Sequence, residues 1–177
     1  VIPAVAVDTT YAATYVSGAI TVENTDGGYI YSDGKGNSYS AVSLQEIANS
    51  VSANSTIFFK NVTSGSGVTF SVSSVGIQGE ISFTLSDGYG VTIAGGCHAS
   101  FGNATIRSDK GGVAVNKDAR FVFSGGEIVF NNDTKKSFSA IRVSGCAEIN
   151  DGIIEYKGDS FGYGISVTDG SARLTIN

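Results

Sequence analysis

Proline occurs once in the 177 residues, as Pro3, and methionine and tryptophan do not occur at all. His98 is the only histidine, and Cys97 and Cys146 are the only cysteines. With one histidine, the paired His-x-x-x-His spacing of a zinc hydrolase cannot be written. The phosphate-cradling Gly-x-x-x-x-Gly-Lys-Ser/Thr loop and the dinucleotide fingerprint are also missing. No cofactor and no metal centre are expected. Charge is scarce as well: Asp, Glu, Lys and Arg make up 15% of the chain, against a usual share of about 25%, and they leave a net charge of -5. Nucleic acid and anionic membrane need a basic field, so neither is expected as a partner. The apolar run VIPAVAV at the start is far shorter than the roughly 20 residues that span a bilayer, and membrane insertion is not expected. Within it, Ala4-Val5-Ala6 has the form of a signal-peptidase site, which suits a trimmed secreted end.

What is present points to a packed fold rich in turns. The chain is 41% hydrophobic, which argues against disorder, and its 24 glycines are about twice the usual share. A chain of this length fits one domain and can bury about two thirds of its unfolded surface. Ser, Thr, Asn and Gly must then supply most of the exterior.

The ordering principle is a repeat. Gly-Val-Thr-Ile at 90 to 93, Gly-Val-Ala-Val at 112 to 115, Ala-Ile-Arg-Val at 140 to 143 and Gly-Ile-Ser-Val at 164 to 167 share one pattern, and Val68-Thr69-Phe70 extends it backwards. Their first apolar positions, 68, 91, 113, 141 and 165, lie 23, 22, 28 and 24 residues apart. A second short strand follows each of the later ones, headed by Ala99, Ala119, Ala147 and Ala172, and a third lies around Ile106, Ile128 and Ile154. Three apolar-x-apolar segments per period, joined by small polar residues, predict a chain wound into three-faced coils. Alternate side chains of a strand share a face, so Val91 and Ile93 or Val113 and Val115 point inward and stack on the next coil about 4.8 Å away. The drifting interval is corner-loop length.

One stretch is helical. Leu44, Ile47, Ala48 and Val51 follow the i, i+3, i+4, i+7 pattern, and Ser43-x-x-Glu46 forms a capping box with Val42 and Ile47 placed as a hydrophobic staple. The pattern predicts an amphipathic helix over 44–52 that caps the first coil. Residues 1–56 then hold N-terminal strands and this helix, with Tyr29-Ile30-Tyr31 as a strand and 33–37 as a turn. Residues 57–177 hold the coils, the last of them incomplete.

The capped helix SLQEIANSV, the apolar strand TIFFKNV and the GVxI and AxF coils with their GG and DG corners resemble the right-handed parallel β-helix of the pectin-lyase-like group, over about residues 40 to 177. The resemblance implies an all-β fold of three-strand coils. The group includes polysaccharide lyases and hydrolases, phage tailspikes and bacterial surface adhesins, so fold alone does not choose the function. Its catalytic motifs do not carry over. Polygalacturonase-like members have Asn-Thr-Asp, Asp-Asp, Gly-His-Gly and Arg-Ile-Lys elements, whereas here His98 sits in Cys97-His98-Ala99 and no Asp-Asp pair exists. The pectate-lyase-like Arg-x-Pro-x-x-Arg cannot be written, because the single proline is Pro3. The resemblance therefore implies an extracellular or cell-surface, adhesin-like module without enzymatic activity, binding a glycan or a host surface protein. A polysaccharide-acting enzyme and a structural spacer are the alternatives.

Candidate sites follow from loop lengths. From third strand to next coil the corner takes 7 residues at 106 to 113, but 13 at 128 to 141 and 11 at 154 to 165. The two long corners carry Asn131, Asn132, Asp133, Lys135, Phe138, Asp159, Phe161 and Tyr163, rings beside amides and charges that suit a sugar. The structural alternative is that the rings cover the coil edge. Asp109, Asp133 and Asp159 fall on that corner in successive coils and suit Ca²⁺ or an acid pair, although Asp is also a common turn residue. Arg120, Glu148 and Arg173 are expected to form an outward charge ladder. Cys97 and Cys146 fall two strand spacings apart, about 9 to 10 Å, too far for a disulfide. Asn54, Asn61, Asn103 and Asn132 begin Asn-x-Ser/Thr sequons, at the rate expected by chance in so Asn-, Ser- and Thr-rich a chain. The open final coil is expected to self-associate.

Overall fold

Val68, Val91, Val113, Ile141 and Ile165, the five positions of the repeat, stand directly beside one another on successive parallel strands. Phe70, Ile93, Val115, Val143 and Val167 form the next row two residues on. The computed structural model describes residues 19–131, 137–158 and 162–177. It is a parallel β-solenoid of about 5 turns, with a single short helix among the described residues.

The repeat strands are β5 (Val68–Phe70), β7 (Tyr89–Ile93), β9 (Gly111–Val115), β11 (Phe138–Val143) and β13 (Gly162–Val167), and they make one five-stranded sheet. The expected second and third strands of each coil run together into long strands: β4 (Ser55–Ser64), β6 (Val75–Phe83), β8 (His98–Ser108), β10 (Arg120–Phe130) and β12 (Cys146–Tyr156), with the short β14 (Arg173–Ile176) beyond. Each long strand turns a corner midway, where the ladder shifts register and then resumes. At that corner a left-handed residue sits in every coil: Asn61, Gly79, Asn103, Gly126 and Gly152. Gly79 and Gly126 are also steric necessities, since a Cβ there would lie 2.1 Å from the Phe59 and Ala104 carbonyl oxygens of the coil below. A third face therefore exists in the geometry but not as a separate sheet.

The core fills the coil axis. Val62, Ile81, Ile106 and Ile128 form one buried row, and Ile57, Ile77, Phe101 and Phe123 another. Rings and small residues alternate along other rows, as in Val75, Ala99, Phe121 and Ala147, or Ser64, Phe83, Ser108 and Phe130. An aromatic ring takes more than one strand spacing of about 4.8 Å, and along these two rows small neighbours make room for it, whereas Phe101 and Phe123, and Phe130 and Tyr156, stand ring beside ring. The second-strand register differs from the expected one. Ala99 pairs with Phe121 and not Ala119, and Phe121 with Ala147, because the alternation places a ring where a repeated alanine was expected. In consequence Arg120 and Arg173 flank Cys146 in one row while Glu148 lies in the next, and the expected charge ladder is a diagonal Arg120–Glu148 pair at 3.2 Å.

The N-terminal end is closed by a meander and the helix. Strands β1 (Ala19–Thr25), β2 (Gly28–Ser32) and β3 (Ser38–Ala41) continue the nine-stranded sheet beyond β4, with β2 and β3 antiparallel. Helix α1 (Leu44–Ser50) packs on β5 and buries Leu44, Ile47 and Ala48. Ser43 caps it by accepting from the Glu46 N–H. The Glu46 carboxylate returns one residue beyond the expected box, to the Val42 N–H. Val42 itself is 75% exposed, so no staple forms, and the helix stops at Ser50 because Val51 is extended. At the other end β13 and β14 are the outermost strands. No helix among the described residues is long and apolar enough to cross a membrane.

Candidate functional site

The meander that covers the first coil also makes a groove. Tyr31 and Tyr39 are cross-strand partners on β2 and β3, and their rings stack at 5.4 Å between centroids. The turn between them is stiffened by one side chain: Asp33 Oδ1 accepts from the Lys35 and Asn37 N–H groups, and its Oδ2 accepts from Asn37 Nδ2 at 2.6 Å. Gly34 and Gly36 supply the left-handed backbone that the turn requires. These bonds hold the Asp33 carboxyl below the ordinary carboxylate range, the Asn37 amide being the largest cause. Opposite the turn lie Ser50 at the end of α1, Ser52 and Ser55. With Ile20 from β1, the two tyrosines and the turn, they line an open groove of about 540 Å³. Ring faces, a carboxylate, an ammonium and hydroxyls thus converge on one concave surface, which is the combination a polar ligand requires.

This groove was not among the sites expected from sequence. The signal was present in the alternation of Tyr29-Ile30-Tyr31 and in Ser38-Tyr39-Ser40 across a five-residue turn, which puts Tyr31 and Tyr39 on adjacent strands.

Of the expected corner residues, Asn132, Asp133, Lys135, Asp159 and Phe161 lie outside the described residues. Asn131 is exposed, with its backbone N–H bonded to the Ser108 carbonyl. Tyr163 is 57% exposed and pairs in register with Ser139. Phe138 turns inward: it is buried in the core cluster, edge-on to Tyr89 at 5.9 Å. Asp109 is engaged as a brace, accepting from the Leu85 N–H in the preceding turn and lying 3.5 Å from Lys110 Nζ. Among the described residues no three His, Cys, Asp or Glu side chains are grouped to hold a metal ion.

A second polar cluster lies beside the same corner, on the outer face of the five-stranded sheet. The Tyr89 hydroxyl meets Ser139 Oγ at 3.1 Å, and Ser139 Oγ meets Ser166 Oγ at 2.9 Å. The Arg142 guanidinium carbon lies 4.7 Å from the centre of the Tyr89 ring. Tyr89 reaches that far because its ring lies across Gly111, where a Cβ would come within 2.3 Å of it. The long strands carry a further outward network in which Arg107 bridges Glu80 and Glu127. Cys97 is buried and Cys146 exposed, both as free thiols, and His98 Nε2 is buried without a partner. No protein-family model, curated protein or solved structure matches this chain.

Proposed function

We propose that this chain is a non-enzymatic β-solenoid module of an extracellular or cell-surface protein, pectin-lyase-like in its coils and adhesin-like in its role, that binds a glycan. The tyrosine-walled groove at the capped end carries this reading. Its volume of about 540 Å³ falls in the range of about 300 to 1,000 Å³ typical of small-ligand sites. Tyr39 is 46% exposed, so an aromatic face is offered to solvent at the mouth. Such a face stacks on the C–H surface of a sugar, while the Asp33 carboxylate, the Lys35 ammonium and the serine hydroxyls suit its hydroxyl groups. The loop-bearing corner, with Asn131 and Tyr163, is a second surface available to the same glycan. Asn132, Asp133, Lys135, Asp159 and Phe161, which neighbour those two in sequence, belong to that part of the proposal.

The test is binding to a panel of neutral oligosaccharides, read by calorimetry, for the wild type and for Tyr31→Ala with Tyr39→Ala. The expected result is saturable binding in the wild type and at least a tenfold loss in the double variant with the fold retained. Release of new reducing or unsaturated ends from any polysaccharide would replace the proposal with an enzyme. Absence of binding across the panel would leave a spacer or a protein-binding module.

A further inference from the structure

We propose that the outer face of the five-stranded sheet holds an oxyanion subsite centred on Arg142, which takes a carboxylate or a sulfate ester group. The subsite is distinct from the groove and stands whether or not the groove binds sugar.

The first observation is an uncompensated cation. Arg107 and Arg120 each end on carboxylates. Among the described residues no ion pair reaches Arg142, and its Nε is buried with no hydrogen-bond partner. A buried donor without an acceptor costs free energy, so this guanidinium is held at a cost that its own chain does not offset, and its charge is left for an oxyanion at the outer nitrogens. The residue as a whole remains partly exposed although Nε is covered, so the rest of the side chain is what solvent and a ligand can reach.

The second observation is rigidity. Arg142 is the penultimate residue of β11, with ladder partners on both sides: Ala114 on β9 and Ser166 on β13. Its guanidinium rests on the Tyr89 ring, and that ring is held by the Tyr89, Ser139 and Ser166 hydroxyl chain, in which Ser139 is 1% exposed. A cation fixed on an aromatic face loses little side-chain freedom when an anion arrives. The third observation is a neighbouring donor. The relay joins three hydroxyls by two contacts, so it retains one O–H that those contacts do not use. Ser166 stands beside Arg142 in register, which places a hydroxyl next to the fork that a carboxylate or sulfate engages. A phosphate-cradling loop is not needed, because the side chains supply both charge and hydrogen bonds.

The structural alternative is that Arg142 merely covers Ala114, which is 1% exposed although its side chain faces outward. The two readings separate by experiment. The wild-type chain is titrated with glucuronate and, separately, with N-acetylglucosamine 6-sulfate, with glucose and N-acetylglucosamine as neutral controls, and backbone amide shifts are followed by NMR. Saturable shifts at residues 141 to 143 and 165 to 167 with an acidic sugar, and none with the neutral ones, are expected. The two acidic arms tell whether carboxylate or sulfate is preferred. Arg142→Gln is expected to weaken binding at least tenfold with the melting temperature held within a few degrees, and Arg142→Lys to keep part of it. The groove variant Tyr31→Ala with Tyr39→Ala is expected to leave these shifts unchanged. A wild type without saturable shifts, or shifts that persist in Arg142→Gln, would overturn the proposal. If Arg142→Gln fails to fold, the wild-type titration alone decides.

Discussion

Gln45 hydrogen-bonds Thr69 as a neighbouring strand would. Its Nε2 donates to the Thr69 carbonyl at 2.9 Å, and its Oε1 accepts from the Thr69 N–H at 2.8 Å. Thr69 is the middle residue of β5, the outermost strand of the five-stranded sheet at this end. An edge strand with free N–H and C=O groups is a template for association, and one side-chain amide on α1 satisfies both groups. Gln45→Ala removes two part-buried hydrogen bonds, each worth about 1 kcal/mol net, and leaves their partners bare. Its expected cost is about 2 kcal/mol in chemical denaturation, together with a rise in aggregation on heating. Gln45→Glu is expected to be no better, because a carboxylate can accept from the N–H but faces the carbonyl with no donor.

The corner glycines offer a matched pair of tests. Gly126→Ala would bring a Cβ within 2.1 Å of the Ala104 carbonyl oxygen at a φ of 103°, so backbone must move. The expected cost is about 3 kcal/mol or more. Gly102, one coil below and beside the same bend, has nothing within 4 Å of the place its Cβ would take. Gly102→Ala is therefore expected to fall within about 1 kcal/mol of wild type. Equal effects from the two substitutions would contradict the stacked corner.

Asp33 titrates below the ordinary carboxylate range, with the Asn37 side chain as the largest cause. A lowered folded-state pKa means that the turn's contribution is present above the ordinary carboxylate pKa and fades as pH falls through the lowered one. Asn37→Ala is expected to move the Asp33 midpoint upward, toward the ordinary value, in an NMR titration of the carboxyl carbon. A midpoint unchanged by Asn37→Ala would mean that the turn is not held by this pair.

The two thiols differ in access. Cys146 is exposed and Cys97 is 9% exposed, and neither is paired. A thiol reagent added to the native protein is expected to modify Cys146 rapidly, and Cys97 only as the chain opens. Mass spectrometry under non-reducing conditions is expected to show both thiols free; a Cys97–Cys146 bond would require a different coil register.

Ile153, Tyr163, Val167 and Ile176, four of the seven exposed large hydrophobic side chains among the described residues, lie on the last three strands. Together with the outer edges of β13 and β14 they make a surface suited to pairing with a second chain. Light scattering is expected to show concentration-dependent association that Ile176→Lys reduces. A monomer at all concentrations, for the wild type as well as the variant, would exclude pairing through this end.

Most of the fold was legible because burial imposes a period. Val68, Val91, Val113, Ile141 and Ile165 had to face one axis, and Ile106, Ile128 and Ile154 likewise, so their spacing named the rows. The second strand was misaligned by two residues because packing asks a row for complementary volumes rather than for repeated letters, and Phe121 stands between Ala99 and Ala147. The staple failed for a different reason: Val42 could satisfy a local motif, but the chain enters α1 from β3 with that side chain turned to water. Three of the four sequons read otherwise in three dimensions. Asn54, Asn61 and Asn103 all adopt positive φ, so asparagine stands there as the residue that best tolerates left-handed backbone after glycine. The groove and the Arg142 cluster were hardest to read, because each assembles from residues on different strands whose proximity depends on register: Tyr31 with Tyr39, and Tyr89 with Ser139, 50 residues apart.

Each coil touches chiefly the coil before it and the coil after it, and that arrangement insulates. The groove is built from β1, β2, β3, the end of α1 and the start of β4, whereas Arg142 sits on β11, with β5, β7 and β9 stacked between it and the capped end of its sheet. In a one-dimensional stack, interaction energy is a sum over neighbours, so a change in one rung fades before it reaches a rung several places away. The two surfaces can thus drift, sharpen or be exchanged separately, and selection on one leaves the other undisturbed. The solenoid behaves as a rack of independent slots, its length setting how many the chain can hold.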